Sequence, residues 1–87
     1  MRDIVISSLA FDLFLELQKN EPDTFKKLTK LINETRKHPF EGIGKPEALK
    51  HNLKGFWSRR ITDKHRLVYK VETQNITIIS CKFHYDE

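Results

Sequence analysis

The sequence predicts an α+β fold in the order β-α-α-β-β-β, with two N-terminal helices packed on one face of a small antiparallel sheet. Three observations carry this. Apolar residues recur at helical spacing through the first half of the chain. The second half holds three strand-like runs separated by short polar turns, the pattern of antiparallel hairpins. At 87 residues there is room for one domain, spanning 1–87, near the lower limit for a self-sufficient core.

The elements follow in order. Asp3 to Ile6 reads DIVI, a β-branched run suited to a strand. Ser7 and Ser8 can cap a helix in which Ala10, Leu13, Phe14 and Leu17 share a face. Asn20, Glu21 and Pro22 break that helix and begin another, with Pro22 near its first position and Asp23 in its first turn. Phe25, Leu28, Leu31, Ile32 and Thr35 line its apolar side, and His38-Pro39 ends it, because a residue before proline is disfavoured in the helical region. Gly42, Gly44, Pro46 and Gly55 punctuate a loop over residues 40–55, with a single turn expected over residues 47–50. Runs at 56–61, 65–71 and 76–83 are the expected strands.

Charge is unevenly distributed. Residues 44–70 contain eight of the sixteen Lys and Arg residues and only two acids, Glu47 and Asp63, a net +6. Residues 1–43 are neutral and residues 71–87 carry −2. So local a basic block points to an anionic partner, phosphate being the commonest. The lone Cys81 allows no intramolecular disulfide, in keeping with a reducing compartment. The N-terminus is not a secretory signal, and no stretch approaches the roughly 18 apolar residues of a membrane span. The expectation is a soluble cytoplasmic protein with no membrane partner.

Side chains alternate along a strand, so parity sorts them. Odd positions include Trp57, Leu67, Tyr69, Val71, Ile79, Cys81 and Phe83, an apolar set expected to face the helices. Even positions include Ser58, Arg60, Arg66, Lys70, Lys82 and His84, expected to face away, although Val68, Ile76 and Ile78 are even as well. A turn centred on Asp63 places Arg60 opposite Arg66. A turn centred on Gln74 places Arg66 opposite Lys82, with His84 one step along. Arg60, Arg66 and His84 then converge on the exposed face, and the loop carrying Glu47 and Lys50 can fold over it. One carboxylate, one imidazole and several cations suit metal-free phosphoryl transfer within RNA. A base takes the 2′-OH proton, an acid protonates the leaving 5′-oxygen, and cations hold the charge of the transition state. DNA lacks the 2′-OH, so the chemistry is specific to RNA.

Other residues read more plainly. Arg59 has the opposite parity and is expected to be structural or solvated. His51 and His65 read as loop and turn residues, Trp57 and Tyr69 as packing, Cys81 as a small core residue, and Lys26, Lys27 and Lys30 as a solvated helix face. No HxxxH or paired-carboxylate spacing appears, so neither a metal site nor a cofactor is expected.

The block GKPEALKHNLKGFWSRRITDKHRLVYK and the ending CKFHY resemble the YoeB group of the RelE superfamily of bacterial toxins, most strongly over residues 36–85. KPE, LKHNL, SRRI, HRLVY and the terminal HY fall in the family's order and spacing. The first 35 residues match in helical pattern more than in motif, and Asp86 and Glu87 extend past the Tyr at which the family's pattern usually ends. The resemblance implies a RelE-like fold and a ribosome-dependent endoribonuclease that cuts mRNA in the decoding site. It also implies neutralisation by a YefM-like antitoxin and allows a homodimer. By the same resemblance Glu47 is the general base, His84 the general acid and Arg66 the transition-state arginine. Lys50 and Arg60 bind the scissile phosphate, and Tyr85 lies near the substrate. The alternative is a non-catalytic ParE-like toxin that inhibits a protein such as DNA gyrase, and a plain RNA- or ribosome-binding module is a third option.

Overall fold

The computed structural model describes residues 1–81. Strand β1 (Asp3–Ile6) leads into helices α1 (Ser8–Asn20) and α2 (Pro22–Lys37), followed by β2 (Glu47–Ala48), β3 (Phe56–Arg60), β4 (Arg66–Val71) and β5 (Asn75–Ser80). Ser7 caps α1, its hydroxyl accepting from the Ala10 amide at 3.2 Å. Pro22 opens α2 at a position where a missing N–H costs nothing. The helix stops at His38, before Pro39, as expected.

The five strands form one sheet in the order β1-β5-β4-β3-β2. The expected helix-on-sheet α+β architecture is present, with one refinement: β1 runs parallel to β5, so the sheet is mixed. A strand joined to the sheet through two helices has no short turn forcing it antiparallel to its neighbour. The core lies between helices and sheet, built from Ala10, Leu17, Leu28, Leu31, Leu67, Tyr69, Ile76, Ile78 and Cys81. Phe14 and Phe25 join the two helices edge to face at 6.1 Å. Among the described residues no helix is long and apolar enough to cross a membrane.

Two expectations need correction. Residues 47–50 do not form a turn after Pro46. Glu47 and Ala48 pair instead with Ser58 and Trp57 as an edge strand, and the helical turn comes later, at His51–Leu53. The second correction concerns register. The β3–β4 hairpin aligns as expected, with Arg60 opposite Arg66. The β4–β5 turn is tighter than a turn centred on Gln74. The Glu72 amide donates to the Asn75 carbonyl at 2.8 Å, and Val71 then faces Ile76 and Tyr69 faces Ile78. Ile76 and Ile78 therefore point into the core, and Ile79 falls out of the inward set. A bulge follows: Val68 pairs with Ser80, leaving Ile79 as the extra residue. That insertion restores the expected alignment and returns Cys81 to the core. Phe83, expected to face inward, lies outside the described residues.

Arg59 is completely buried on the helix side of β3, a structural residue as its parity suggests. Its guanidinium donates to Thr35 Oγ1 in α2 at 3.1 Å and to the backbone carbonyls of His38 and Glu41. Tyr69 adds a hydroxyl bond to the Pro39 carbonyl at 2.6 Å, and burial pushes that hydroxyl's pKa up against the opposing effect of Arg59. Together they hold the segment after α2 against the sheet. The segment returns to β3 at Gly44, whose carbonyl accepts from the Arg60 amide at 2.8 Å. Gly44 has φ +82°, and a Cβ there would lie 2.8 Å from the Arg60 carbonyl oxygen, so this approach needs glycine.

Replacing Arg59 by Lys keeps the charge but cannot reach three divergent acceptors. The substitution should destabilise the protein by about 2–4 kcal/mol, read from the urea midpoint, because one buried and two part-buried acceptors lose their donor.

Candidate functional site

Strand pairing assembles the site on the sheet face turned away from the helices. Glu47 lies opposite Ser58, Ser58 opposite Val68, and Val68 opposite Ser80, one row across four strands. The next outward-facing pair toward the β3–β4 turn is Arg60 and Arg66. Arg60 stands two residues from Ser58 on the same strand face, so it is a diagonal neighbour of Glu47, with such positions ~7–8 Å apart. Glu47 thus comes to stand diagonally beside Arg60 because β2 adds to the sheet edge, a pairing that the two-residue strand conceals in the sequence.

The row itself is largely covered: Ser58, Val68 and Ser80 are buried. The charged groups lie at its margins, Glu47, Lys50 and Arg60 exposed and Arg66 half-buried. Arg60 contacts Asp63 at 3.8 Å, an exposed pair of small energetic weight. Lys50 precedes the His51–Leu53 turn and accepts there from the Leu53 amide at 3.0 Å. The Leu49 amide donates to the Phe56 carbonyl at 2.9 Å, tying this loop to the start of β3. Further along the same face Lys70 sits over the Phe56 ring at 5.7 Å. Among the described residues the face therefore offers the Glu47 carboxylate near Lys50, Arg60 and Arg66, with Asp63 against Arg60 at the turn. His84 and Tyr85, the remaining expected site residues, lie outside the described residues.

Trp57 packs against the core and meets Phe40 at 4.9 Å, so it is a packing residue. His65 differs from the sequence reading in its surroundings. It occupies the β3–β4 turn, yet its ring is buried, with Nε2 3.2 and 3.3 Å from the two Glu21 carboxylate oxygens. Its odd number was the available signal, since it shares the helix-facing parity of Leu67 and Tyr69. The partner 44 residues away has no local pattern to reveal it. Burial raises the pKa of the Glu21 carboxyl. The hydrogen bond and charge of His65, with Lys64 and Thr24, outweigh that and leave it lowered.

Comparison with known proteins places the chain among the toxins of bacterial type II toxin–antitoxin systems. Residues 7–85 match the profile described as YoeB-like toxin of bacterial type II toxin–antitoxin system. Toxin YoeB of Escherichia coli K12 is 50% identical over 82 residues, covering 94% of this chain and 98% of that protein. The YoeB dimer from Staphylococcus aureus superposes with a TM-score of 0.88 at 45% identity, over 97% of this chain and 98% of that one. The toxin in the S. aureus YoeB–YefM complex gives 0.85 at 45% identity, covering 98% and 99%. The chain belongs to the YoeB-like toxin family.

The lowered Glu21 pKa has a defined pH consequence. Its carboxylate stabilises the fold fully above its unfolded value of 4.5, and this contribution is lost as pH falls through the lowered folded value. Urea titrations of wild type and Glu21→Gln should therefore differ at neutral pH and converge in strong acid. An unchanged difference across that range would contradict the assignment.

Proposed function

We propose that this toxin is a ribosome-dependent endoribonuclease of the bacterial cytoplasm, cutting mRNA in the decoding site without a metal ion. The observation that carries the reading is the β2–β3 pairing, which sets Glu47 diagonally beside Arg60 and next to the Arg60–Arg66 pair. A binding patch for phosphate has no use for a carboxylate at that position, whereas RNA cleavage requires a base.

In this mechanism Glu47 takes the proton of the ribose 2′-OH, and the 2′-oxygen attacks the adjacent phosphorus. The P–O5′ bond breaks and His84 protonates the departing 5′-oxygen, leaving a 2′,3′-cyclic phosphate and a 5′-hydroxyl. Arg66 stabilises the charge on the pentacoordinate phosphorus, Lys50 and Arg60 hold the scissile phosphate, and Tyr85 lies beside the substrate. The ribosome contributes orientation, fixing the 2′-OH in line with the leaving oxygen, which accounts for a requirement that side chains alone do not impose. The S. aureus relative is solved with YefM and as a dimer, which supports a YefM-like antitoxin and a homodimer for this chain as well.

Mapping mRNA 5′ ends after brief induction tests the proposal. Wild type should produce new 5′-hydroxyl ends phased with codons. Glu47→Gln should remain folded and lose about 10²–10⁴-fold of the cleavage rate. Full toxicity of Glu47→Gln would overturn the catalytic reading and favour inhibition of a protein target. Equal cleavage of free RNA by the purified protein would remove the ribosome from the mechanism.

A further inference from the structure

Glu21 and His65 meet where the helical layer touches the turn end of the β3–β4 hairpin. Glu21 belongs to the elbow between α1 and α2. Its amide donates to the Leu17 carbonyl at 2.8 Å, closing α1, and its carbonyl accepts from Phe25 at 2.9 Å in the first turn of α2. The carboxylate is therefore carried on backbone that both helices hold. Thr24 contacts it through its hydroxyl at 3.4 Å, and His65 Nε2 lies 3.2 Å from the same oxygen.

His65 is the hub of the turn that the pair secures. Its carbonyl accepts from the amides of Ile61 at 3.0 Å and Thr62 at 3.2 Å. Its own amide donates to Thr62 Oγ1 at 3.1 Å, and the Lys64 amide donates to the same hydroxyl at 3.2 Å. The residues flanking this turn are Arg60 and Arg66, directly opposed across the hairpin. Neighbouring side chains on a strand point to opposite faces, so holding the His65 ring inward directs Arg66 outward. A slip of one residue would reverse both. The His65 side chain is 1% exposed and that of Glu21 33%, and a polar contact to the buried ring is not needed for packing alone, since an apolar residue of similar volume would fill its place as well. What such a pair adds is a directional anchor.

We propose that Glu21 and His65 are positioning residues for the phosphate-handling arginines: tied to the helix elbow, they fix the spacing and direction of Arg60 and Arg66. The proposal rests on the nuclease reading above. It extends the functional unit to α1 and α2, which contribute no group to the reaction itself.

A double-mutant cycle separates positioning from stability. Glu21→Ala and His65→Phe remove the hydrogen bond, the second while filling the space, and Glu21→Gln keeps an oxygen acceptor. Each is made in the wild-type and in an Arg66→Lys background, and cleavage of ribosome-bound mRNA is measured below each variant's melting temperature. In the wild-type background Glu21→Ala or His65→Phe should lower kcat about 10–100-fold, the scale of an ångström of misplacement. In the Arg66→Lys background the same changes should cost several-fold less than in wild type, because one of the two positioned arginines is already gone and only Arg60 is left to be misplaced. Glu21→Gln should recover most of the rate. Equal losses in both backgrounds would reduce the pair to a stability element and overturn the proposal. The ¹⁵N–¹H signals of the Arg60 and Arg66 side-chain Nε give an answer independent of catalysis. They should shift and broaden in Glu21→Ala and return in Glu21→Gln. If wild type fails to cleave, the nuclease reading fails, and these signals still judge the pair: unchanged arginine signals in a folded Glu21→Ala or His65→Phe variant would refute it.

Discussion

A single buried guanidinium organises the connection between the two halves of this toxin. Arg59 leaves the sheet toward the helices and satisfies acceptors at Thr35, His38 and Glu41, which together span the end of α2 and the segment that follows it. An isolated buried charge would be costly. Here the cation is distributed over three oxygen acceptors, the buried Thr35 hydroxyl and two part-buried backbone carbonyls. The arrangement explains why a loop without regular structure can lead so directly into β2. Once His38, Pro39 and Glu41 are held by Arg59 and Tyr69, the chain has little choice over where it meets β3, and Gly44 permits the close approach.

The placement of Glu47 is a consequence of that approach. A two-residue strand has little stability of its own. It forms here because the preceding segment is delivered to the β3 edge and because Leu49 continues the contact with a bond to Phe56. The candidate site therefore combines groups of different mechanical origin. Arg60 and Arg66 stand on a hairpin anchored below by His65 and Glu21, while Glu47 stands on an edge strand anchored through Arg59. Two neighbouring residues of the sequence, Arg59 and Arg60, divide the work: one faces the core and shapes the loop, the other faces outward beside the carboxylate.

The helical boundaries, the three long strands and the Arg60–Arg66 alignment were all legible in the sequence, since each depends on short-range spacing, capping or proline. Parity also separated Arg59 from Arg60 correctly. It failed for Ile76, Ile78 and Ile79 because parity carries across a hairpin only if the turn length is known, and the turn at Thr73-Gln74 is one step tighter than a centred one. The bulge beyond it compensates, so that Val68 still meets Ser80. Two compensating shifts leave no trace in hydrophobic alternation.

What the sequence determined by itself was therefore local and compositional: the α+β class, the capped and proline-bounded helices, the basic block with its isolated acid, and the motifs that mark the YoeB-like family. What only the tertiary structure decided was which distant groups meet. The edge pairing of Glu47 with Ser58, the oxygen acceptors around Arg59 and the contact between Glu21 and His65 join residues 11, 18 to 24 and 44 positions apart. Periodicity reports the direction of a side chain relative to its own element. It holds no information on the partner that another element, packed against it, brings into reach.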